Sequence, residues 1–446
     1  MSRRRSAAFI PVAVGALIGG LGVFSVSAAA PTGTDASEVT HWNQVAATTL
    51  IAFPPAAGGA APAFQINMGM VQGAVYDAVN AIGPKQHRSY LLAQRTGARA
   101  SIDAAVATAA YDVLANLILT SPGVPDPTGR LTTLTSQYRA SIDAIDNNAF
   151  KMQGITIGHA AAKAMLDSRI GDGRFAPSTW VLNPDKGHWS PLTNPATGLP
   201  ALDPTQWVAN VKPFLIQSSS QFRSVPPPLL TGEQWATEFN EVKAKGRATL
   251  STRTDEQTYI ARWWQSAPGL SWNEVARQLI ARTNLDAADS ARLLALQNMS
   301  GADAAINCWN DKYHFDFWRP WNAIRRAAED DNLATDPDPH WAPLIAAPYP
   351  EWTSGHNCLD AAHTTVLRLF FGDDPVGGPF QITSFFVDPG GPAERTFETF
   401  TQPLTELIVA RIWAGLHYRS ADVEGQRLGR NVANYGIANY FQPVGH

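Results

Sequence analysis

Within residues 99–120, Val106, Ala110, Val113, Leu114 and Leu117 recur at steps of three and four, the spacing that lines one face of an α-helix. The same period fills approximately 38–52, 66–82, 129–147 and 149–170, and each stretch predicts a helix. Then the period fails. Residues 171–231 hold ten of the 32 prolines, with Trp180, Trp189 and Trp207 among them. That composition predicts a long irregular segment, and its tryptophans predict that it packs over the body, since a free linker would be Gly/Ser-rich. Helical spacing resumes over 232–244, 255–266, 271–284 and 287–319, then over 355–371, 395–416 and 421–440. Two loops rich in Pro, Gly and Asp, about 330–353 and 372–393, separate the last of these, and Gln381 to Val387 reads as a short hairpin strand. No repeat and no heptad run is present. The expected fold is all-α: two packed helical bundles, with an N-terminal helical half (31–170), the Pro/Trp-rich excursion (171–231) and a C-terminal helical half (232–446).

Composition narrows the function. A chain of 446 residues that is 45% hydrophobic and 16% charged fills a sizeable core and is not disordered. A formal charge of −4 lacks the basic footprint of a nucleic-acid binder. Two cysteines exclude a disulfide scaffold and a four-cysteine zinc ribbon. Arg3, Arg4 and Arg5 precede an apolar run from Ala7 to about Val26, and Ser27, Ala28, Ala29 and Ala30 follow. This reads as an export signal over 1–30, with Ser2-Arg3-Arg4 and Phe9 hinting at the twin-arginine route. Cleavage would leave a secreted or periplasmic protein with a charge of about −7. After residue 30 no stretch has the uncharged apolar length expected of a membrane span.

Three segments of the C-terminal half carry chemistry. The first runs from Cys308 to Pro320 and holds Trp309, Lys312 and Arg319. Seven residues on a helix turn through about 700°, so Lys312 and Arg319 would share a side, with Trp309 on the same face. Pro320 places Arg319 at a helix end. In the second, Tyr349 to Leu359, Ser354 reads as an N-cap for a helix continuing through Leu359, Ala362, Val366 and Phe370. The Gly355 amide and its neighbours would then offer a helix N-terminus to an anion, with His356 in the first turn as a proton donor. In the third, the stripe Phe397, Phe400, Leu404 and Leu407 steps next onto Arg411. An arginine facing a core needs a partner, and Glu406, five residues back, is poorly placed to be one. His417 reaches the same anion if the helix ends near Gly415. Three cations, two histidines and one helix N-terminus suit a tetrahedral oxyanion such as phosphate or vanadate.

The order K-x6-R-P, S-G-H, R-x5-H resembles the signature of the superfamily of vanadium-dependent haloperoxidases and type 2 phosphatidic acid phosphatases. The gaps fit, with 34 residues between Arg319 and Ser354 and 54 between His356 and Arg411. Trp309, Phe317-Trp318-Arg319-Pro320 and Arg411 through Arg419 look like the soluble haloperoxidase branch. The resemblance covers about 130 residues, with the site in the C-terminal bundle. It implies that Lys312, Arg319, Arg411, Ser354 and the Gly355 amide hold the oxygens of vanadate. His417 would bond the vanadium, His356 would be the acid–base group, and Lys312 would polarise bound peroxide. It also implies hydrogen peroxide, a halide and a small organic acceptor as partners, and phosphate fits the same cofactor site. Trp309 and Tyr349 would wall the halide pocket. Thr353 stands where the family usually has proline, and Tyr349 where Phe or His is common, so halide preference stays open. The competing activity is a secreted acid phosphatase in which His417 attacks phosphorus and His356 protonates the leaving group. A non-catalytic oxyanion binder would need neither histidine.

Other residues are less telling. Cys308 and Cys358 read equally well as a disulfide or as buried thiols. His363 reads as a core histidine, and Asp303 and Asp422 as candidates to orient an active-site side chain. The oligomeric state is left open.

Overall fold

The computed structural model describes residues 36–82, 87–93, 100–194, 196–385 and 391–444. The proposed export signal lies outside them. Among the described residues the regular structure is helical apart from one small hairpin, as the periodicity predicts. Its N-terminal half consists of α1 (Ser37–Ile51), α2 (Ala61–Asn80), α3 (Ile102–Thr120), α4 (Pro127–Asp143) and α5 (Ala149–Ser168). Helix α3 is long and apolar enough to cross a membrane by length and composition, which corrects the reading that no such stretch follows residue 30. Most of its apolar residues face protein instead: Val106, Ala110, Val113, Leu114 and Leu117 are buried, and α3 packs on α1, α2, α4 and α5.

After the excursion come α6 (Glu233–Lys245), α7 (Asp255–Trp263), α8 (Pro268–Thr283), the long α9 (Ala287–Phe315) and the short α10 (Pro320–Arg325). Next are α11 (Gly355–Phe371), the hairpin β1 (Phe380–Thr383) and β2 (Glu394–Phe397), then α12 (Thr401–Trp413) and α13 (Arg419–Asn439). Strand β1 pairs antiparallel with β2, Phe380 opposite Phe397. Helices α9, α11 and α13 pack together, and α2 lies along α9, so one hydrophobic core runs from Trp42 and Val71 through Ile306 to Val366 and Leu428.

Two expected helices are shorter than their patterns. Helix α9 stops at Phe315 because Asp316 takes a left-handed conformation (φ 46°), so Lys312 and Arg319 do not share a helix. Helix α12 begins at Thr401, and Phe397 of the supposed helical stripe belongs to β2. Apolar spacing alone does not distinguish a strand residue that happens to fall in phase.

The excursion is fastened by polar residues of α9 at four-residue spacing, which share one helix face. Asp303 accepts the backbone N–H groups of Phe214, Leu215 and Ile216 at 2.7, 2.6 and 2.8 Å. Asn307 accepts from Phe222 N at 3.0 Å, and Asp311 from Ser224 N at 3.0 Å. Asp303 therefore orients no active-site group; it replaces the backbone partners that irregular chain lacks. Trp189 and Trp207 are buried, so the segment does pack on the body. Asp303→Ala strands three buried amides, and we expect it to lower unfolding free energy by roughly 3 kcal/mol or more, read as a lower midpoint in chemical denaturation.

Candidate functional site

The three motif segments meet at the C-terminal end of α9. Arg319 occupies the N-cap position of α10, where Pro320 forbids it helical geometry, and it is fully buried. Its Nε donates to Tyr349 O at 2.9 Å, Nη1 to Leu416 O at 2.7 Å and Nη2 to Pro350 O at 3.2 Å. Lys312, also fully buried, donates from Nζ to Pro350 O at 3.3 Å, to Glu351 O at 3.2 Å and to Thr353 O. One carbonyl, that of Pro350, thus receives both cations. Arg411 lies in the last turn of α12 and is 3% exposed; its Nη1 donates to Trp264 O at 3.2 Å, and its Nε has no partner among the described residues. Glu406 pairs with Arg395 instead.

The helix carrying Arg411 ends at Trp413, and Gly415 turns the chain with φ 76°, where a Cβ would also lie 2.5 Å from Gly246 O. That turn delivers His417, which is 2% exposed. Arg319 Nη1 donates to His417 Nε2 at 3.1 Å, while His417 Nδ1 lies 2.9 Å from Glu351 Oε1. The same Glu351 oxygen accepts from Tyr418 N at 3.1 Å.

Ser354 does occupy the N-cap position of α11, but its hydroxyl makes no cap bond there. It accepts from Asn357 Nδ2 at 3.2 Å and bonds Asp422, which in turn accepts from Asn357 Nδ2 at 2.8 Å. Asp422 thus supports the S-G-H turn rather than a histidine. Gly355 is pressed against the first segment: a Cβ there would lie 2.9 Å from Trp309 Cζ3 and 3.9 Å from Lys312 Cε. His356 is partly buried beside the Ser266 backbone, and its Nε2 has no partner among the described residues.

Trp309 and Tyr349 cover the cations, with ring centroids 5.2 Å apart. Lys312 Nζ sits 5.6 Å from the Trp309 centroid and 5.2 Å from that of Tyr349, and the Arg319 guanidinium 5.1 Å from Tyr349. Asp203 fixes Trp309 from behind, accepting its Nε1 at 2.9 Å and the Tyr313 hydroxyl at 2.8 Å. Beneath lies a cluster that includes Trp235, Trp318, Trp321, Trp352 and Tyr418.

Among the described residues no carboxylate lies within ion-pair distance of Lys312, Arg319 or Arg411. The nearby carboxyls are held towards their neutral forms by burial: Glu351 is pushed up to about 8, Asp360 to about 7, and Asp422 well above its usual value. Burial and the surrounding cations push His417 and His356 well below the usual histidine range. Burial lowers Lys312 to about 8 and Arg411 to about 10. Near neutral pH the centre therefore carries excess positive charge and two neutral imidazoles.

Sequence reasoning passed over Glu351 and Asp203. Glu351 lies within the second motif segment with no spacing cue to tie it to His417, 66 residues on; Asp203 sits in the irregular segment, where periodicity says nothing. Cys308 and Cys358 are buried free thiols on either side of the Thr353 hydroxyl, at 3.4 and 3.5 Å. His363 is a core residue bonded to Gln65 of α2. No cluster of three or more His, Cys, Asp or Glu suited to a metal ion occurs among the described residues.

Fold and site together define a helical-bundle protein with a buried cationic centre. A family profile described as the VCPO second helical-bundle domain matches residues 292–444. The vanadium chloroperoxidase of Curvularia inaequalis is 23% identical over 79% of this chain and 73% of its own length. A bacterial vanadium-dependent iodoperoxidase structure superposes with a TM-score of 0.73 at 22% identity, covering 94% of this chain and all of the other. A holo-type bacterial vanadium-dependent chloroperoxidase gives 0.68 at 17% identity over 92% and 98%. The chain is thus similar in sequence to vanadium haloperoxidases over its second helical bundle, and it shares their fold over nearly its whole length.

The electrostatics predict a pH dependence. Sulfate stays a dianion through neutral and alkaline pH, so its binding reads the protein's own charges. As pH rises through about 8, Lys312 loses its positive charge and Glu351 gains a negative one; both changes weaken anion binding. We expect sulfate affinity, measured calorimetrically, to fall across that window. Lys312→Arg should retain more affinity above it.

Proposed function

We propose that this protein is a vanadate-dependent haloperoxidase, oxidising a halide with hydrogen peroxide to hypohalous acid that reacts with a small organic acceptor. The observation that carries the reading is the set of unmet bonds in the centre. Among the described residues Arg411 Nε and His356 Nε2 are buried without partners, while the donor to His417 Nε2 is the Arg319 guanidinium. A tetrahedral oxyanion supplies oxygens to the first two groups and an electrophilic centre to the third. Vanadate therefore fits the residues present.

In this reading Lys312, Arg319, Arg411, the Ser354 hydroxyl and the Gly355 amide hold the oxygens of vanadate, and His417 Nε2 binds the metal. When bound, vanadate supplies a fully oxidised Lewis acid that activates peroxide towards a halide. His356, neutral and at the first turn of α11, takes and returns protons at its Nε2. The Lys312 ammonium polarises the group bound beside it. Trp309 and Tyr349 keep bulk water from the cations and favour a large, weakly hydrated halide. Those aromatic walls also favour halide oxidation over phosphate-ester hydrolysis. Export under the direction of residues 1–30 belongs to the same proposal.

The test begins with protein stripped in phosphate-free chelating buffer. Orthovanadate should restore halogenation of a phenol dye by bromide or iodide with peroxide, and His417→Ala should abolish it. His356→Ala should lower turnover by about 10²–10⁴-fold while still binding vanadate. Phosphomonoester hydrolysis that vanadate inhibits, without halogenation, would instead establish a phosphatase on this scaffold.

A further inference from the structure

We infer that Glu351 is the positioning residue of the centre: it holds His417 as the Nδ1–H tautomer, so that the Nε2 lone pair is the one offered to the bound group. The inference rests on the haloperoxidase reading for the identity of that group, though not for the tautomer.

Two contacts on opposite edges of the ring agree. Arg319 Nη1 carries only protons, so at 3.1 Å from Nε2 it must donate, and Nε2 must be the acceptor. A neutral imidazole then bears its proton on Nδ1, and that proton points at Glu351 Oε1 at 2.9 Å. The oxygen is itself fixed, because it also accepts the Tyr418 backbone N–H at 3.1 Å. Glu351 is fully buried, its own N–H is bonded to Phe317 O at 2.9 Å, and its carbonyl receives Lys312 Nζ. One residue thus holds the ring of the metal-binding histidine and helps to place the lysine. Its other oxygen, Oε2, is buried without a partner among the described residues, so Oε1 remains the acceptor whether or not a proton resides on Oε2.

A carboxyl group behind a metal-binding imidazole fixes ring orientation and strengthens the nitrogen–metal bond. It does not strengthen the hold on an anion kept by charge alone. That difference separates positioning from simple structural support. Asp422, another buried carboxyl of the centre, is engaged with Asn357 and Ser354.

The experiment uses the full chain without vanadate and with nitrogen-labelled histidine. Long-range proton–nitrogen NMR should show His417 as the Nδ1–H tautomer in the wild type and in Glu351→Gln, whose amide oxygen can still accept. Glu351→Leu should show mixed or inverted tautomers. Orthovanadate affinity should fall about 10- to 100-fold in Glu351→Leu and recover in large part in Glu351→Gln. Sulfate, which cannot take a fifth ligand from nitrogen, should bind Glu351→Leu as well as the wild type or better. An unchanged tautomer in Glu351→Leu overturns the inference, as does a parallel loss of sulfate and vanadate affinity. A wild type that shows the Nδ1–H tautomer but does not bind vanadate refutes the haloperoxidase proposal and leaves the positioning role standing.

Discussion

Three buried cations of like sign, solvated by backbone carbonyls rather than by carboxylates, are the constraint from which the rest of this structure follows. Lys312 and Arg319 share the Pro350 carbonyl, and Arg411 donates to that of Trp264. Bringing such groups out of water is unfavourable by several kcal/mol each unless a counter-charge arrives. Placing carboxylates beside them would relieve the strain and fill the anion site. Here burial instead favours the neutral forms of the nearby Glu351, Asp360 and Asp422. The charge is kept available for something that is not part of the chain.

Much of the fold serves to hold that arrangement. Most of the carbonyls that receive Lys312 and Arg319 lie in loop 349–353, which these bonds tie to the end of α9 and the start of α10. Helix α9 also carries Asp303, Asn307 and Asp311, which dock the Pro-rich excursion, and the excursion supplies Asp203 to orient Trp309. The long irregular segment is therefore part of the site's wall. A floor that includes Trp235, Trp318 and Tyr418 leaves the loop little room to relax.

The helices were legible because amphipathic spacing over fifteen or more residues leaves few alternatives, and the site was legible because arginine on an apolar stripe is hard to explain otherwise. Arg411 showed both virtues. What stayed hidden depends on single backbone torsions or on contacts between distant segments. Nothing in the pattern announces that Asp316 will take φ 46° and end α9 four residues early, or that Phe397 belongs to a strand. The pairing of Glu351 with His417 crosses 66 residues and carries no periodic mark. Position alone makes Ser354 a cap; its competing partner Asp422 arrives only with the packing of α13 against α11.

The central claim is that this cationic centre exists to bind one tetrahedral oxyanion through a nitrogen–metal bond. The most direct test is a crystal structure of the protein soaked in orthovanadate, with vanadium located by its anomalous scattering. The account predicts one strong site at bonding distance from His417 Nε2, with the Arg319 guanidinium turned from the imidazole onto the vanadate oxygens. Vanadium found only at the protein surface, with the Arg319–His417 contact intact, would contradict it.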